Sequence, residues 1–167
     1  MIDKKLLSYS IGYLRNTASY YLYDTFNINA SKPAQISALI TWNCNSRCRM
    51  CTYWKQEKRK ELSAAEWKNF LTEMKTWHKT AHIQFSGGEP FVRKDAIEVF
   101  EHCAKIGLSY GVTTNLTTLP IGGVERFVET EPFNLNISLD GMNPETHDYC
   151  RGVQGSHARV MKNIDAL

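Results

Sequence analysis

The sequence predicts an α/β fold: a partial (β/α) barrel of parallel strands with outer helices, about four βα units, preceded by an N-terminal helix. Three observations lead there. After Pro33 the pattern strand, loop, helix repeats along the chain, and such alternation makes parallel βα units with the helices outside. The strand candidates alternate apolar with polar residues, so one face meets the helices and the other lines a cavity. With 167 residues the chain is long enough for one domain with its own core.

The elements follow in order. Leu7, Ile11, Leu14, Ala18, Tyr21 and Leu22 recur at helical spacing, with Lys4, Lys5 and Arg15 among them. This amphipathic helix either packs across one end of the domain or lies on a membrane surface or a partner. Asn27 to Pro33 reads as a linker, which separates a unit of residues 1–33 from a core domain of residues 34–167. Strands are expected at Gln35–Trp42, His82–Ser86, Leu108–Thr114 and Asn134–Leu139. Ser63-Ala-Ala-Glu66 is a capping box that starts a helix whose buried stripe is Trp67, Phe70, Leu71, Met74 and Trp77. A second helix starts near Asp95 with Ala96, Phe100, Cys103 and Ala104 facing inward; a short one covers Gly123–Glu129 and a last one begins near Ser156. The chain stops inside that last helix with no terminal strand, which suggests C-terminal truncation, or else a cover for the open edge of the fourth strand.

Charge and cysteine usage bound the function. A formal net charge of +3 gives no warrant for nucleic-acid binding, and the run Lys58-Arg59-Lys60 reads as a solvated loop. Five cysteines without a secretory signal fit a reducing, cytoplasmic compartment. No apolar run is long enough to span a membrane.

Cys44-Asn-Ser-Arg-Cys48-Arg-Met-Cys51 carries the strongest chemical signal. Three thiolates on one short loop after a strand can wrap one corner of a cubane iron–sulfur cluster, each on its own iron, and leave the fourth iron open. Zinc is the competing metal, as a structural module; it needs a fourth ligand, which His78 or His82 could supply.

With Gly87-Gly88-Glu89-Pro90 after the second strand, Thr114-Asn115 after the third and Ser138-Leu139-Asp140-Gly141 after the fourth, the chain from Gln35 onward resembles the radical S-adenosylmethionine (radical SAM) enzymes, above all their peptide-maturing and cofactor-biosynthetic members. The resemblance implies a 4Fe–4S cluster on Cys44, Cys48 and Cys51, its open iron chelated by S-adenosyl-L-methionine. It implies that Gly87 and Gly88 clear space for that cofactor, that Glu89 accepts from its ammonium and that Pro90 stiffens the turn. Asn115, Ser138 and Asp140 would contact ribose hydroxyls or the methionine carboxylate; their local alternative is capping of the strand ends. Arg151 resembles an arginine placed near that carboxylate, and Tyr53 would pack on adenine. Met50 stands where family members commonly carry an aromatic residue, which puts stacking there in doubt but not the cluster.

The reaction so implied is reductive cleavage of S-adenosylmethionine to a 5′-deoxyadenosyl radical that takes hydrogen from a substrate: a peptide, a cofactor precursor or a lipid precursor. The electron donor would be a flavodoxin or ferredoxin, which Arg47 and Arg49 either help to hold or ignore. A truncated domain that binds a cluster without turnover is the alternative. Among the remaining residues, Cys103 reads as core, Cys150 as a thiol in a loop, and His82 as a satisfied interior histidine.

Overall fold

The computed structural model describes residues 4–57 and 59–167; the side chains of Lys4, Lys5 and Leu6, of Ser8 and Tyr9, and all of Lys58 lie outside the described residues, and with them the expectations for Lys4, Lys5 and Lys58. Element order is α1 (Lys4–Phe26), β1 (Gln35–Thr41), α2 (Ala64–Trp77), β2 (His82–Gly87), α3 (Ala96–Lys105), β3 (Ser109–Thr114), α4 (Val124–Glu129), β4 (Asn134–Ile137), α5 (Pro144–Arg151) and α6 (Ser156–Ile164). The four strands form one parallel sheet in the order β1-β2-β3-β4. The sheet is open: a partial barrel whose β1 and β4 are edges.

The alternation of the strands decides which side becomes core. Ala38 and Ile40 of β1, Ile83 and Phe85 of β2, and Tyr110 and Val112 of β3 point toward the helices and meet Trp67, Leu71, Val99, Phe100 and Phe127. Phe85, Phe100 and Tyr110 pack ring against ring at its centre, with centroids 5.2–5.9 Å apart. Leu135 and Ile137 of β4 pack against the margin of this core. The opposite face is polar and internally bonded. His82 pairs with Ser109 Oγ at 2.9 Å and with Gln84 Oε1 at 3.2 Å, and Gln84 donates to Thr113 Oγ1 at 3.1 Å. His82 is thus a satisfied interior histidine.

Helix ends follow local chemistry. The Ser63 side chain accepts from the Glu66 amide and the Glu66 carboxylate accepts from Ser63 N, a complete capping box. Of the stripe expected on α2, Trp67 and Leu71 are buried, whereas Phe70 and Trp77 are exposed. On α3 the buried set is Ala96, Ile97, Val99, Phe100 and Cys103, and Ala104 faces solvent. Cys103 is core, and burial pushes its thiol up to about 12.

A further expectation is corrected. Cys150 lies in α5 and not in a loop. The start of α5 is Asn143, whose side chain accepts from Thr146 N at 2.8 Å, followed by Pro144; its end is Gly152 with φ 63°. Asn before Pro at the start and Gly after the last turn are ordinary helix-boundary signals, hidden here by the polar, non-periodic composition between them. Helix α1, for which the sequence leaves two placements open, shows features of both. Its apolar stripe is exposed, and the helix meets the domain through Gly12, Asn16 and Ser19. Asn16 accepts from Lys32 N at 2.8 Å, and a Cβ on Gly12 would lie 2.7 Å from Thr80 Oγ1.

Candidate functional site

In a parallel sheet all strands end on the same side, and ligands collect there. The tips of β1 to β4 and the chain after them enclose a cleft of about 230 Å³. Cys44, Cys48 and Cys51 line it from the loop after β1; Gly87 and Gly88 line it after β2; Thr114 and Asn115 line it after β3. Ser138 and Asp140 after β4, Arg151 at the end of α5, and Tyr53 line it too, whereas Glu89 and Pro90, also expected at the site, are buried and do not line it.

The cysteine loop has no regular structure of its own, so its shape comes from bonds to its neighbours. On one side the β3 tip holds it: Asn115 Nδ2 donates to Asn45 Oδ1 at 2.8 Å and to Ser46 Oγ at 3.0 Å, while Asn45 Nδ2 donates to Thr117 Oγ1 and Thr118 Oγ1, both at 3.0 Å. On another side α5 holds it. A helix leaves its last carbonyls without internal partners, and here the Arg47 amide donates to Arg151 O (3.0 Å) and the Arg49 amide to Cys150 O (2.9 Å). Gly152 permits this approach, since a Cβ there would lie 2.3 Å from Arg47 O. On the third side Glu61 Oε1 accepts from Thr41 Oγ1 (2.9 Å) and Trp42 N (2.6 Å), and Arg93 donates to Ile40 O (2.6 Å).

The two glycines after β2 have a geometric cause. Gly87 adopts φ 119°, and a Cβ on Gly88 would lie 2.1 Å from Asn43 O. The close approach they allow is that of the chain leaving β1: Gly88 N donates to Thr41 O and Glu89 N to Asn43 O, each at 2.8 Å. Glu89 itself is fully buried beneath the cleft. Its Oε1 accepts from Thr114 Oγ1 (2.7 Å) and Phe91 N (3.0 Å), and its Oε2 accepts from Asn115 N (2.7 Å). Burial pushes this carboxyl above the ordinary carboxylate range, opposed by those three donors and by the Arg151 cation. Pro90 is buried too and opens a 3-10 turn, Pro90–Val92.

Tyr53 stacks on Trp42 with centroids 5.1 Å apart, so its ring forms a shelf at the cleft rim. Arg151 lies over the cysteines: Nη1 donates to Cys48 Sγ at 3.7 Å, while Nη2 donates to Asp140 Oδ1 at 2.9 Å and Nε stands 2.7 Å from Oδ2. Lining residues not singled out beforehand are Ser46, Trp54, Ser86 and Thr113. Trp54 Nε1 donates to Cys48 O at 3.1 Å. Thr113 had a findable signal, as it continues the polar face of β3 in register with Asn136 of β4; nothing local in the sequence marked Ser46 or Trp54.

The donor set suits a cluster. All five cysteines are free thiols, and three of them face one cleft. Among the described residues, no three His, Cys, Asp or Glu side chains converge as they do around a single metal ion. Thiolates that each hold a separate corner of a cubane need not converge in that way. His82 is committed to the sheet ladder and does not complete a zinc set. N–H donors already stand near the sulfurs, Ser46 N at 3.4 Å from Cys44 Sγ and Asn115 Nδ2 at 4.0 Å. Burial holds the Cys44 thiol above its ordinary value, opposed by the Ser46 amide.

Comparison with known proteins agrees. The chain is 34% identical over 137 residues to an AdoMet-dependent heme synthase of Methanosarcina barkeri, covering 81% of this chain and 39% of that protein. It is 29% identical over 140 residues to a PqqA peptide cyclase of Rhodopseudomonas palustris (83% and 36% covered), and 26% identical to the mycofactocin maturase MftC of Mycolicibacterium smegmatis (87% and 37%). It thus spans less than two-fifths of the length of these relatives. Among solved structures, Streptococcus suis SuiB bound to S-adenosylmethionine superposes with a TM-score of 0.71 at 19% identity, over 88% of this chain and 34% of that one, which shows a shared fold. The family model for the Radical SAM superfamily matches residues 39–167. The chain therefore belongs to the radical SAM superfamily, a family of enzymes whose cofactors are a 4Fe–4S cluster and S-adenosylmethionine.

Proposed function

We propose that Cys44, Cys48 and Cys51 hold a 4Fe–4S cluster and that the adjoining cleft binds S-adenosylmethionine. The observation that carries this reading is the meeting of three free thiols with the tips of all four strands around one cleft. Bound there, the two cofactors would supply reductive sulfonium cleavage, with one electron from an external donor, and hydrogen abstraction from a substrate. The chain's own residues aim and enclose. Gly87, Gly88, Asn115, Ser138 and Asp140 offer backbone and polar groups to the cofactor's amino acid and ribose, and Arg151 offers a cation. Tyr53, stacked on Trp42, gives an aromatic face to adenine. Glu89 and Pro90 act from beneath by fixing the loop; the buried Glu89 carboxylate reaches the cofactor through the strand tips that it holds.

For the whole protein we propose a peptide or cofactor-precursor substrate, by analogy with relatives named as a peptide cyclase, a mycofactocin maturase and a heme synthase, and with SuiB solved with the precursor peptide SuiA. Arg47, Lys55 and Arg59 are exposed around the cysteine loop, each over a Trp ring. Among the described residues none of them pairs with a carboxylate, which suits an acidic electron donor such as a flavodoxin or ferredoxin. Among the described residues no helix is long and apolar enough to cross a membrane. Peripheral membrane contact through α1 and a cytoplasmic location remain our proposals, resting on the exposed apolar residues of α1 and on the five free thiols.

The test is anaerobic reconstitution with iron and sulfide, reduction with dithionite, addition of S-adenosylmethionine and assay of 5′-deoxyadenosine. We expect product in the native chain and none in Cys44→Ala. A cluster without product would identify a domain that binds but does not turn over. Zinc in place of the cluster would overturn the proposal.

A further inference from the structure

One chain of contacts begins at α6 and ends on a cluster cysteine. His147 of α5 is fully buried, as is Ser156 at the start of α6. The Asp140 amide donates to His147 Nδ1 at 3.2 Å, so Nδ1 carries no proton; Nε2 carries it and donates to Ser156 Oγ at 3.2 Å. That leaves the imidazole one tautomer and one orientation. It fixes the backbone of Asp140, whose Oδ1 accepts from Arg151 Nη2 at 2.9 Å and whose Oδ2 stands 2.7 Å from Nε as an ion pair without a hydrogen bond there. One charge-assisted hydrogen bond and the ion pair keep the guanidinium beside Asp140, and its Nη1 donates to Cys48 Sγ at 3.7 Å. The base of this chain is rigid. The Asp148 carboxylate ties α5 to α6 by accepting from Gly155 N (2.5 Å) and His157 N (2.8 Å), and the last carbonyls of α5 accept from the cysteine loop itself.

We propose that Arg151 sets the reduction potential of the cluster through Cys48, and that His147 is a positioning residue which acts on the cluster only by way of Asp140 and Arg151. This rests on the cluster assignment made above. Hydrogen bonds to cluster sulfurs tune the potential. A cation held beside a ligand sulfur favours the state with one more electron, so the guanidinium raises the potential and makes reduction easier. Asp140 offsets part of that charge while aiming it. The expected signature is a hierarchy in which Arg151 has the largest effect and His147 has none without Arg151.

The experiment is a redox titration of the reconstituted protein without S-adenosylmethionine, followed by electron paramagnetic resonance, with iron content measured alongside. Arg151→Met should move the potential to more negative values at unchanged iron content, and Arg151→Lys should restore part of the shift. His147→Phe should move it the same way by less, and should add nothing in the Arg151→Met background, since a residue that acts through another couples fully to it. His147→Gln, whose amide oxygen can still accept from Asp140 N, should keep the native potential and guards against a folding failure of the Phe variant. A native potential in Arg151→Met with full iron, or a His147→Phe shift that persists without Arg151, would overturn the proposal. A native protein that takes up no 4Fe–4S cluster would refute the cluster assignment, and that is seen before any variant is compared.

Discussion

The cysteine loop and α1 are opposites. The loop lacks repeating backbone structure, yet it is bonded from three directions by Asn115, by the last carbonyls of α5 and by Glu61. Helix α1 is 23 residues of unbroken backbone regularity, yet it touches the domain mainly through Gly12, Asn16 and Ser19 and leaves Leu14, Tyr21 and Phe26 in the open. Regular secondary structure satisfies a segment's own backbone and says nothing of how firmly that segment is placed. Placement comes from tertiary partners, and this chain concentrates them around its cleft. Such anchoring suits the cluster-binding role proposed for the loop, because ligands already placed by the fold need less ordering when a metal binds.

Four measurements would break or sharpen that contrast. The largest effect is expected for Glu89→Ala, which strands the Thr114 hydroxyl and the Asn115 and Phe91 amides in a buried site. With each stranded donor costing about 1–3 kcal/mol, we expect about 4 kcal/mol of lost stability in urea unfolding of the cluster-free protein. A loss below about 1 kcal/mol would mean that the strand tips are not held from beneath. Next comes Gly88→Ala. The added methyl would lie 2.1 Å from Asn43 O, and overpacking of this kind costs about 1–3 kcal/mol. The displaced chain leads directly to Cys44, so iron uptake should fall together with stability; normal uptake would show that the loop tolerates a shifted origin.

A smaller effect depends on pH. Burial lowers the proton affinity of His82 and His147 in the folded state, and the Arg151 cation adds to this for His147. The unfolded chain then binds more protons than the folded one below about pH 6.5, so stability is full above that value and falls as pH drops through the lowered folded values. Thermal melts should therefore show a lower Tm on the acid side, and His82→Gln should flatten that drop. An unchanged profile in His82→Gln would assign the acid sensitivity elsewhere. The smallest effect belongs to α1: Leu14→Ser and Tyr21→Ser should each change unfolding free energy by less than about 0.5 kcal/mol and leave iron uptake intact. A loss of about 2 kcal/mol would mean that the helix face is covered in solution.

Much of this was legible beforehand because its causes are local. Alternation of Ile83 and Phe85 with His82 and Gln84 gave β2 and its two faces, and Ser63 with Glu66 gave the start of α2 to the residue. Cys44, Cys48 and Cys51 were visible as a spacing, and the strand-end motifs as polar residues after apolar runs. The inward set of α2 was overread, since Phe70 and Trp77 have helical spacing but no element above them. Helix α5 was missed because its signals sit only at its two ends. Glu61 and Trp54 carry no local signal, because they act on backbone 19 and 6 residues away that only the fold brings near.

By itself the sequence determined the parallel βα order, the polar lining of one sheet face and the thiols at its strand ends, since these follow from periodicity and from residue chemistry within a few positions. Tertiary structure alone decided that Gly88 makes room for the chain leaving β1, that Glu89 is turned down into the protein, and that α5 is the platform for the cysteine loop. Each of these involves a backbone group met from a distant part of the chain. A backbone amide looks the same at every residue, so no side-chain pattern announces which carbonyl it will find.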